Sequence, residues 1–331
     1  MGSTSAPPLS TAEAFGLGGL AACCAVTISN PAEVAKTRLQ LQGELVKKSV
    51  NKVYNNTFDT LVKTYRNEGI WGVQRGLGPA VLAPWMGNWT RNHVLTNNLG
   101  FYEPLRQSTN QLAGLAITEQ NPLTSMLAGA SSGVIGSILA NPLFLVKARM
   151  QAYSPALPVG TQRFYRNSVS AFSEIVKREG VLGLMRGTGA ACLRTAMGSS
   201  VQVPSYVWTK RQLAQHGILP ADSFWIFLAS SSVSGLFVVS IVFNPLKCCV
   251  LTRMYNQPTK TLKSGRTIGL LYQSPIDALI KIARAEGFLG WYKGTMAHFL
   301  RILPQTIITL TANDSIIKLY RQIQSGKVRT S

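Results

Sequence analysis

Apolar and polar positions do not alternate evenly along this chain; they come in blocks. Runs of small and apolar residues, "GLGGLAACCAVTIS" at 16–29, "LAGASSGVIGSILA" at 127–140 and "FLASSSVSGLFVVSIVF" at 227–243, each lead into Asn-Pro and then into charged residues. Such runs, with many small residues among the apolar ones, predict helices that pack closely inside a membrane. They are only 14 to 17 residues long, short of the ~20 needed to cross hydrocarbon. Each helix must therefore continue through its polar motif, with those side chains turned toward a water-filled interior.

The blocks recur. "NPAEVAKTRLQ" at 30–40 returns as "NPLFLVKARMQ" at 141–151 and "NPLKCCVLTRM" at 244–254. Downstream, "EGIWGVQRG" (68–76) returns as "EGVLGLMRG" (179–187) and "EGFLGWYKG" (286–294). Pro31 to Pro142 and Glu68 to Glu179 are both 111 residues, a coincidence that chance does not supply. Between the two motifs lies a basic loop with a short amphipathic segment, for example "SVSAFSEIVKREG"; a second, mostly apolar stretch then leads to a polar exit, "GFYEPLR", "PSYVWTKR" or "TANDSIIK". Two spans per unit predict an all-α membrane protein: six transmembrane helices in three tandem two-helix repeats, with short helices in the loops. The expected divisions are a flexible N-terminus over 1–11, repeats over 12–110, 111–215 and 216–325, and a tail over 326–331.

Composition sharpens this picture. The 331 residues are 46% hydrophobic and only 14% charged, yet carry a net charge of +20. Of the 33 Lys and Arg residues, 22 lie in the three loops within repeats (36–75, 147–186, 253–293), and none lies in the first 30 residues. The basic loops thus share one side of the membrane, with both termini opposite. Loop charge accounts for most of the excess and argues against a nucleic-acid partner, which would need a basic face of its own. The five cysteines include two adjacent pairs and no Cys-x-x-Cys, so neither a disulfide framework nor a zinc site is indicated. Neither do the three histidines form a metal spacing. No cofactor is expected. An enzyme finds no support either, since no paired carboxylates, nucleophile–base pair or phosphate loop is present. "MGSTSAPPLSTAEAF" has no Lys or Arg and no long apolar core, so neither a secretory signal nor an Arg-rich transit peptide is expected.

These features resemble the mitochondrial carrier family, whose three repeats carry Pro-x-Asp/Glu-x-x-Lys/Arg-x-Lys/Arg-x-Gln and then Glu-Gly and Arg-Gly. The resemblance covers roughly 12–325, and "GFYEP", "NPLFLVKARMQ" and "LRTAMGSSVQVP" are most similar to the fungal oxaloacetate-carrier branch. It implies a three-fold pseudosymmetric bundle in the mitochondrial inner membrane, basic loops in the matrix, a monomer, and anionic lipid partners, cardiolipin among them. It also implies roles. Pro31, Pro142 and Pro245 are expected to break their helices and bend the ends inward. Past the bend, Glu33 and Lys36 project toward neighbouring repeats. In the family, the acid of one repeat bonds the base of the next, so Glu33, Lys36 and Lys147 fall in a matrix gate braced by Gln40 and Gln151. A solvated helix end would explain one such motif, but hardly three.

The ring is uneven. The acidic position holds Glu33, then Phe144, then Lys247, and Arg253 lies eight past its proline where Arg38 and Arg149 lie seven past theirs. One helical residue is about 100° of rotation. Arg253, the repeat-three member of the matrix gate, should therefore point elsewhere unless a bulge absorbs the extra residue. On the opposite side, Tyr102, Glu103 and Arg106 match the family's outer gate, with Tyr206 and Lys210, and Asp314 and Lys318, as reduced versions.

Outside loops and tails the basic residues are Arg91, Arg194, Lys247 and Arg301. Arg194 and Arg301 are equivalent, each 13 residues before its exit position and eight after the Arg/Lys of the Arg-Gly motif. At ~1.5 Å per residue they sit near mid-membrane, where burying a guanidinium is costly without a partner. No intramembrane acid is expected at that depth, so the partner is imported. Two forked guanidiniums suit a small dianion. Arg91, in the lengthened segment of repeat one, is a third candidate contact, and Gln202 and His298 are candidates for selectivity or proton coupling. The expected activity is alternating-access movement of small anionic metabolites: oxaloacetate first, then related dicarboxylates and sulfate, by proton symport or anion exchange. The competing reading is a carrier-shaped protein with little or no transport, because repeat one is lengthened and repeat three shifted.

Overall fold

The computed structural model describes residues 11–44, 52–82, 102–116, 121–217, 250–261 and 267–287, with isolated positions between 225 and 323. Its helices are α1 (Thr11–Leu41), α2 (Thr57–Val73), α3 (Tyr102–Leu112), α4 (Pro122–Ala152), α5 (Ser168–Glu179), α6 (Thr188–Gln215), α7 (Leu251–Asn256) and α8 (Pro275–Glu286). A 3-10 turn over Val181–Met185 joins α5 to α6.

Helices α1 and α4 are each 31 residues long and run through Pro31 and Pro142 without a break, so the expected helix break does not occur. Proline 31 lacks the N–H that would bond the Thr27 carbonyl, but the Gln74 side-chain amide donates to that carbonyl at 3.0 Å. The lost rung is thus replaced from another part of the same repeat, and the helix carries on into its charged end. Just before the proline, the Asn30 amide donates to Gln74 Oε1 (3.1 Å) and the Arg75 carbonyl (3.4 Å). In repeat two the Asn141 amide donates to the Leu184 and Arg186 carbonyls, at 2.8 and 3.2 Å. Asn30 and Asn141 therefore each tie their long helix to the Arg-Gly loop of the same repeat.

The short helices start at equivalent caps. Asn56, Asn167 and Ser274 accept from the backbone N–H groups of Asp59, Ser170 and Asp277, satisfying a donor that a helix start otherwise leaves open. Gly69, at a kink inside α2, and Gly180 and Gly287, just past the ends of α5 and α8, take positive φ of 65°, 73° and 75°, which explains why glycine follows each glutamate.

The long helices meet at their charged ends: α1 packs on α4 and α7, α4 packs on α7, and α6 runs along α4. Where repeats two and three meet, Leu145, Val146, Ile175, Met254 and Ile282 form one buried cluster. Fully burying an aliphatic side chain of this size stabilises by about 1.5–3 kcal/mol. Among the described residues one helix is long and apolar enough by length and composition to cross a membrane, Leu123–Ala152. The all-α expectation needs one amendment. Thr259–Thr261 and Thr267–Gly269 form a two-stranded antiparallel ribbon, with Lys260 opposite Ile268, in the basic loop of repeat three.

Candidate functional site

Past Pro31, the Glu33 carboxylate points into the space between repeats. Lys147 Nζ of repeat two lies 2.6 Å from Glu33 Oε2, and Arg301 Nη1 of repeat three lies 3.9 Å from Oε1. Lys36 acts on the same carboxylate by its charge, and the charges of Arg301 and Arg194 act on Lys147. Three cations thus face one carboxylate where the three repeats converge, with Arg194 beside Lys147. This overturns the expectation that Arg301 has no acid within reach. The depth argument placed arginine and acid on separate levels, but an Arg side chain reaches far along the bundle. Arg301 Nη1 also donates to Gln305 Oε1, one turn on, at 3.0 Å.

Arg194 lies in α6, with its guanidinium carbon 5.8 Å from the centroid of the Phe144 ring, a cation–π distance. His298 is fully buried, its backbone N–H bonded to the Gly294 carbonyl at 3.0 Å. Arg106 is buried in α3. Arg91, Pro245, Lys247, Asp314 and Lys318 fall outside the described residues, as do the side chains of Tyr102, Glu103, Gln202, Tyr206 and Lys210.

Just beyond the Glu33 cluster is a second layer. Arg38 donates to both oxygens of Glu68, at 2.6 and 2.9 Å, and Arg149 to both oxygens of Glu179, at 2.7 and 3.1 Å. Arg253 grips Glu286 likewise, at 2.5 and 3.0 Å. Arg253 therefore does not point elsewhere: it matches Arg38 and Arg149. The extra residue is accommodated just before it, where Val250 carries π-type winding, the wide turn that inserts one residue into a helix.

The same three arginines donate from Nε to the next repeat's backbone. Arg38 bonds the Gln151 carbonyl (3.5 Å), Arg149 the Tyr255 carbonyl (3.1 Å) and Arg253 the Gln40 carbonyl (3.1 Å). The acceptors are the brace positions, with Tyr255 where the other repeats have Gln40 and Gln151. Thr37 donates to Gln151 Oε1 at 3.3 Å, Thr252 to Gln40 Oε1 at 2.8 Å, and Tyr255 Oη to Asn141 Oδ1 at 2.9 Å. The three arginine Nε bonds run from repeat one to two, two to three, and three back to one.

Sequence reasoning noted Arg38, Arg149 and the three glutamates only as repeat markers. The missed signal was their spacing, 30 residues from arginine to glutamate in the first two repeats and 33 in the third. Around Glu179 stand Arg149, Arg163 and Arg186. Burial alone would push its carboxyl up, but the Arg149 hydrogen bonds and the three positive charges hold it below the ordinary carboxylate value.

Three repeats closed head to tail around the shared Glu33 ion pairs fit a helical transporter. Comparison with known proteins agrees. The family described as Mitochondrial carrier protein matches residues 7–89, 118–217 and 220–324. The chain is 42% identical over 330 residues to the Mitochondrial oxaloacetate transport protein of Schizosaccharomyces pombe, covering 97% of this chain and 95% of that one. It is 43% identical over 315 residues to Mitochondrial citrate transporter E of Aspergillus niger, covering 95% of each. With Solute carrier family 25 member 35 of Mus musculus it shares 37% identity over 308 residues, 92% of this chain and 98% of that one. The chain belongs to the mitochondrial carrier family, multi-pass transporters of the mitochondrial inner membrane, and is not an enzyme.

Proposed function

We propose that the protein carries small dianions across the mitochondrial inner membrane by alternating access. Oxaloacetate is the first candidate, with related dicarboxylates and sulfate next, driven by proton symport or exchange for another anion. The observation that carries this reading is the sharing of Glu33 between Lys147 and Arg301 at 2.6 and 3.9 Å. A single protein carboxylate occupies cations from two repeats, so an incoming dianion can take its place and release one repeat from another. Arg301 and Arg194 are the proposed substrate contacts, with Arg91, Gln202 and His298 as further candidates. Glu33, Lys36 and Lys147 form the proposed matrix gate, and Gln40, Gln151 and Arg253 brace it beside the three prolines. Tyr102, Glu103, Arg106, Tyr206, Lys210, Asp314 and Lys318 form the proposed outer gate. The names of the relatives support a carboxylate substrate without choosing between oxaloacetate and citrate. The competing reading, a carrier shape without turnover, loses one of its two supports because Arg253 occupies the place its repeat requires.

The test is uptake of labelled oxaloacetate, citrate and sulfate by liposomes containing the purified protein, with and without a pH gradient. Oxaloacetate is expected to enter, and Arg301→Ala should reduce entry to that of empty liposomes. Acceleration by an inward proton gradient would mark symport, and dependence on internal anion would mark exchange. Folded protein that moves none of the three anions would overturn the proposal.

A further inference from the structure

Position 144 is two residues past Pro142, as Glu33 is two past Pro31. The two side chains meet their cations differently. Glu33 approaches Lys147 and Arg301 with a negative charge, whereas Phe144 offers Arg194 the face of a ring at 5.8 Å. A ring face attracts a guanidinium through its quadrupole and leaves the net charge unchanged. A carboxylate in the same place would cancel it, and would add a second competitor to any anion reaching the centre. Both sites belong to one electrostatic unit, because Arg194 and Arg301 both act on Lys147.

We propose that Phe144 is a positioning residue that sets the charge preference of the carrier. It fixes the Arg194 guanidinium by a π contact and keeps the centre one charge more positive than a repeat bearing an acid there would, selecting dianions over monoanions. This rests on the anion-carrier reading above. Among the described residues, Lys147 and Arg301 then meet the single charge of Glu33 while Arg194 meets a neutral ring, an arrangement suited to two negative charges on one small substrate.

The test compares Phe144→Glu, Phe144→Gln and Phe144→Leu with the unaltered protein in liposomes, using oxaloacetate or malonate as dianion and pyruvate or acetate as monoanion. An opposite charge within about 4–6 Å of an ionic site shifts its equilibrium by one to three decades. Phe144→Glu is therefore expected to lower the dianion-to-monoanion ratio of kcat/KM at least about tenfold, at the low end of that range. Phe144→Gln, equal in size but uncharged, should keep the ratio within about threefold, since it changes no net charge. Phe144→Leu removes the ring and should raise the dianion KM about threefold with kcat nearly unchanged, the size of a partly exposed cation–π contact. A merely structural role would instead lower transport of both anion classes together.

An unchanged ratio in Phe144→Glu overturns the proposal and leaves the carrier reading standing. Should Phe144→Glu fail to fold, judged by its melting in detergent, the Leu variant decides: an unchanged dianion KM overturns the proposal. An unaltered protein that carries no anion of either class overturns both readings, because there is then no preference to set.

Discussion

Glu33 is the residue on which the repeats depend most directly. Glu33→Gln keeps the shape but removes the charge shared by Lys147 and Arg301, leaving several cations crowded together. Breaking a largely buried pair from one side is strongly destabilising, since the remaining charge is uncompensated. The substrate-free variant should melt at a lower temperature, and added malonate should raise that temperature more than in the unaltered protein. If malonate stabilises both equally, Glu33 and substrate do not share partners. Glu179 makes a prediction in pH. Its carboxyl is held below its ordinary value of 4.5 by Arg149, Arg186 and Arg163 against the opposing effect of burial. A depressed folded value means that the stabilisation is complete above the unfolded value and disappears as pH falls through the folded one. Melting temperature should fall with acidification below about 4.5, and Glu179→Gln should melt lower at neutral pH while losing part of that acid dependence. Part of this was legible: the Pro-x-Glu-x-x-Lys of repeat one, together with the family resemblance, put Glu33 toward the base of a neighbouring repeat. The reach of Arg301 to Glu33 was not, because it depends on how far one side chain extends along a packed bundle.

At the scale of the element, repeat two shows the whole unit among the described residues: the long helix α4, the capped short helix α5 and a tight Arg-Gly turn into the long helix α6. Gly187 shows why that turn is invariant within the chain. Its φ is +75°, and an added Cβ would lie 2.7 Å from Tyr255 Cε1 of the next repeat. Gly76 and Gly294 approach Gln151 and Gln40 in the same way, at 2.9 and 3.1 Å. Gly187→Ala should therefore cost about 1–3 kcal/mol through backbone strain alone, with the ring contact adding to it. The check is a melting curve, in which Gly187→Ala should fall well below a control such as Gly189→Ala, a position with nothing within 4 Å. Helix positions were readable from apolar blocks. The continuity of α1 through Pro31 was not readable, because a proline normally stops a helix and the repair comes from Gln74, 47 residues away from Thr27. Nor was the π-type turn at Val250, which restores Arg253 to register. A count of residues reports a shift, but not whether the backbone absorbs it. The ribbon of Thr259–Thr261 and Thr267–Gly269 is too short to leave a period.

For the whole molecule, the decisive feature is the layer in which Arg38, Arg149 and Arg253 each grip a glutamate of their own repeat and a carbonyl of the next. Breaking one such buried pair from one side costs up to about 3–5 kcal/mol, less at Glu179 and Glu68, where Arg163 with Arg186, and Arg75, still face the carboxylate. Arg149→Gln and Arg253→Gln should each lower the melting temperature substantially. The double variant should lose less than the sum, since both changes open one connected network. A strictly additive loss would mean that the three arginines act as separate clasps. Three-fold organisation could be read from the motifs, but the direction in which the bonds travel could not, because repetition in a sequence carries no information on handedness between units. That direction has a consequence. Each unit presents a donor on one flank and an acceptor on the other, and the third closes on the first, so the contact is heterologous and cyclic, the kind that closes symmetric trimers. The peptide links between units add proximity without adding a bond to the circle. A chain cut between the first and second repeats, near residues 117–120, should therefore reassemble from two co-expressed pieces, and a pull-down of one piece through the other would show it.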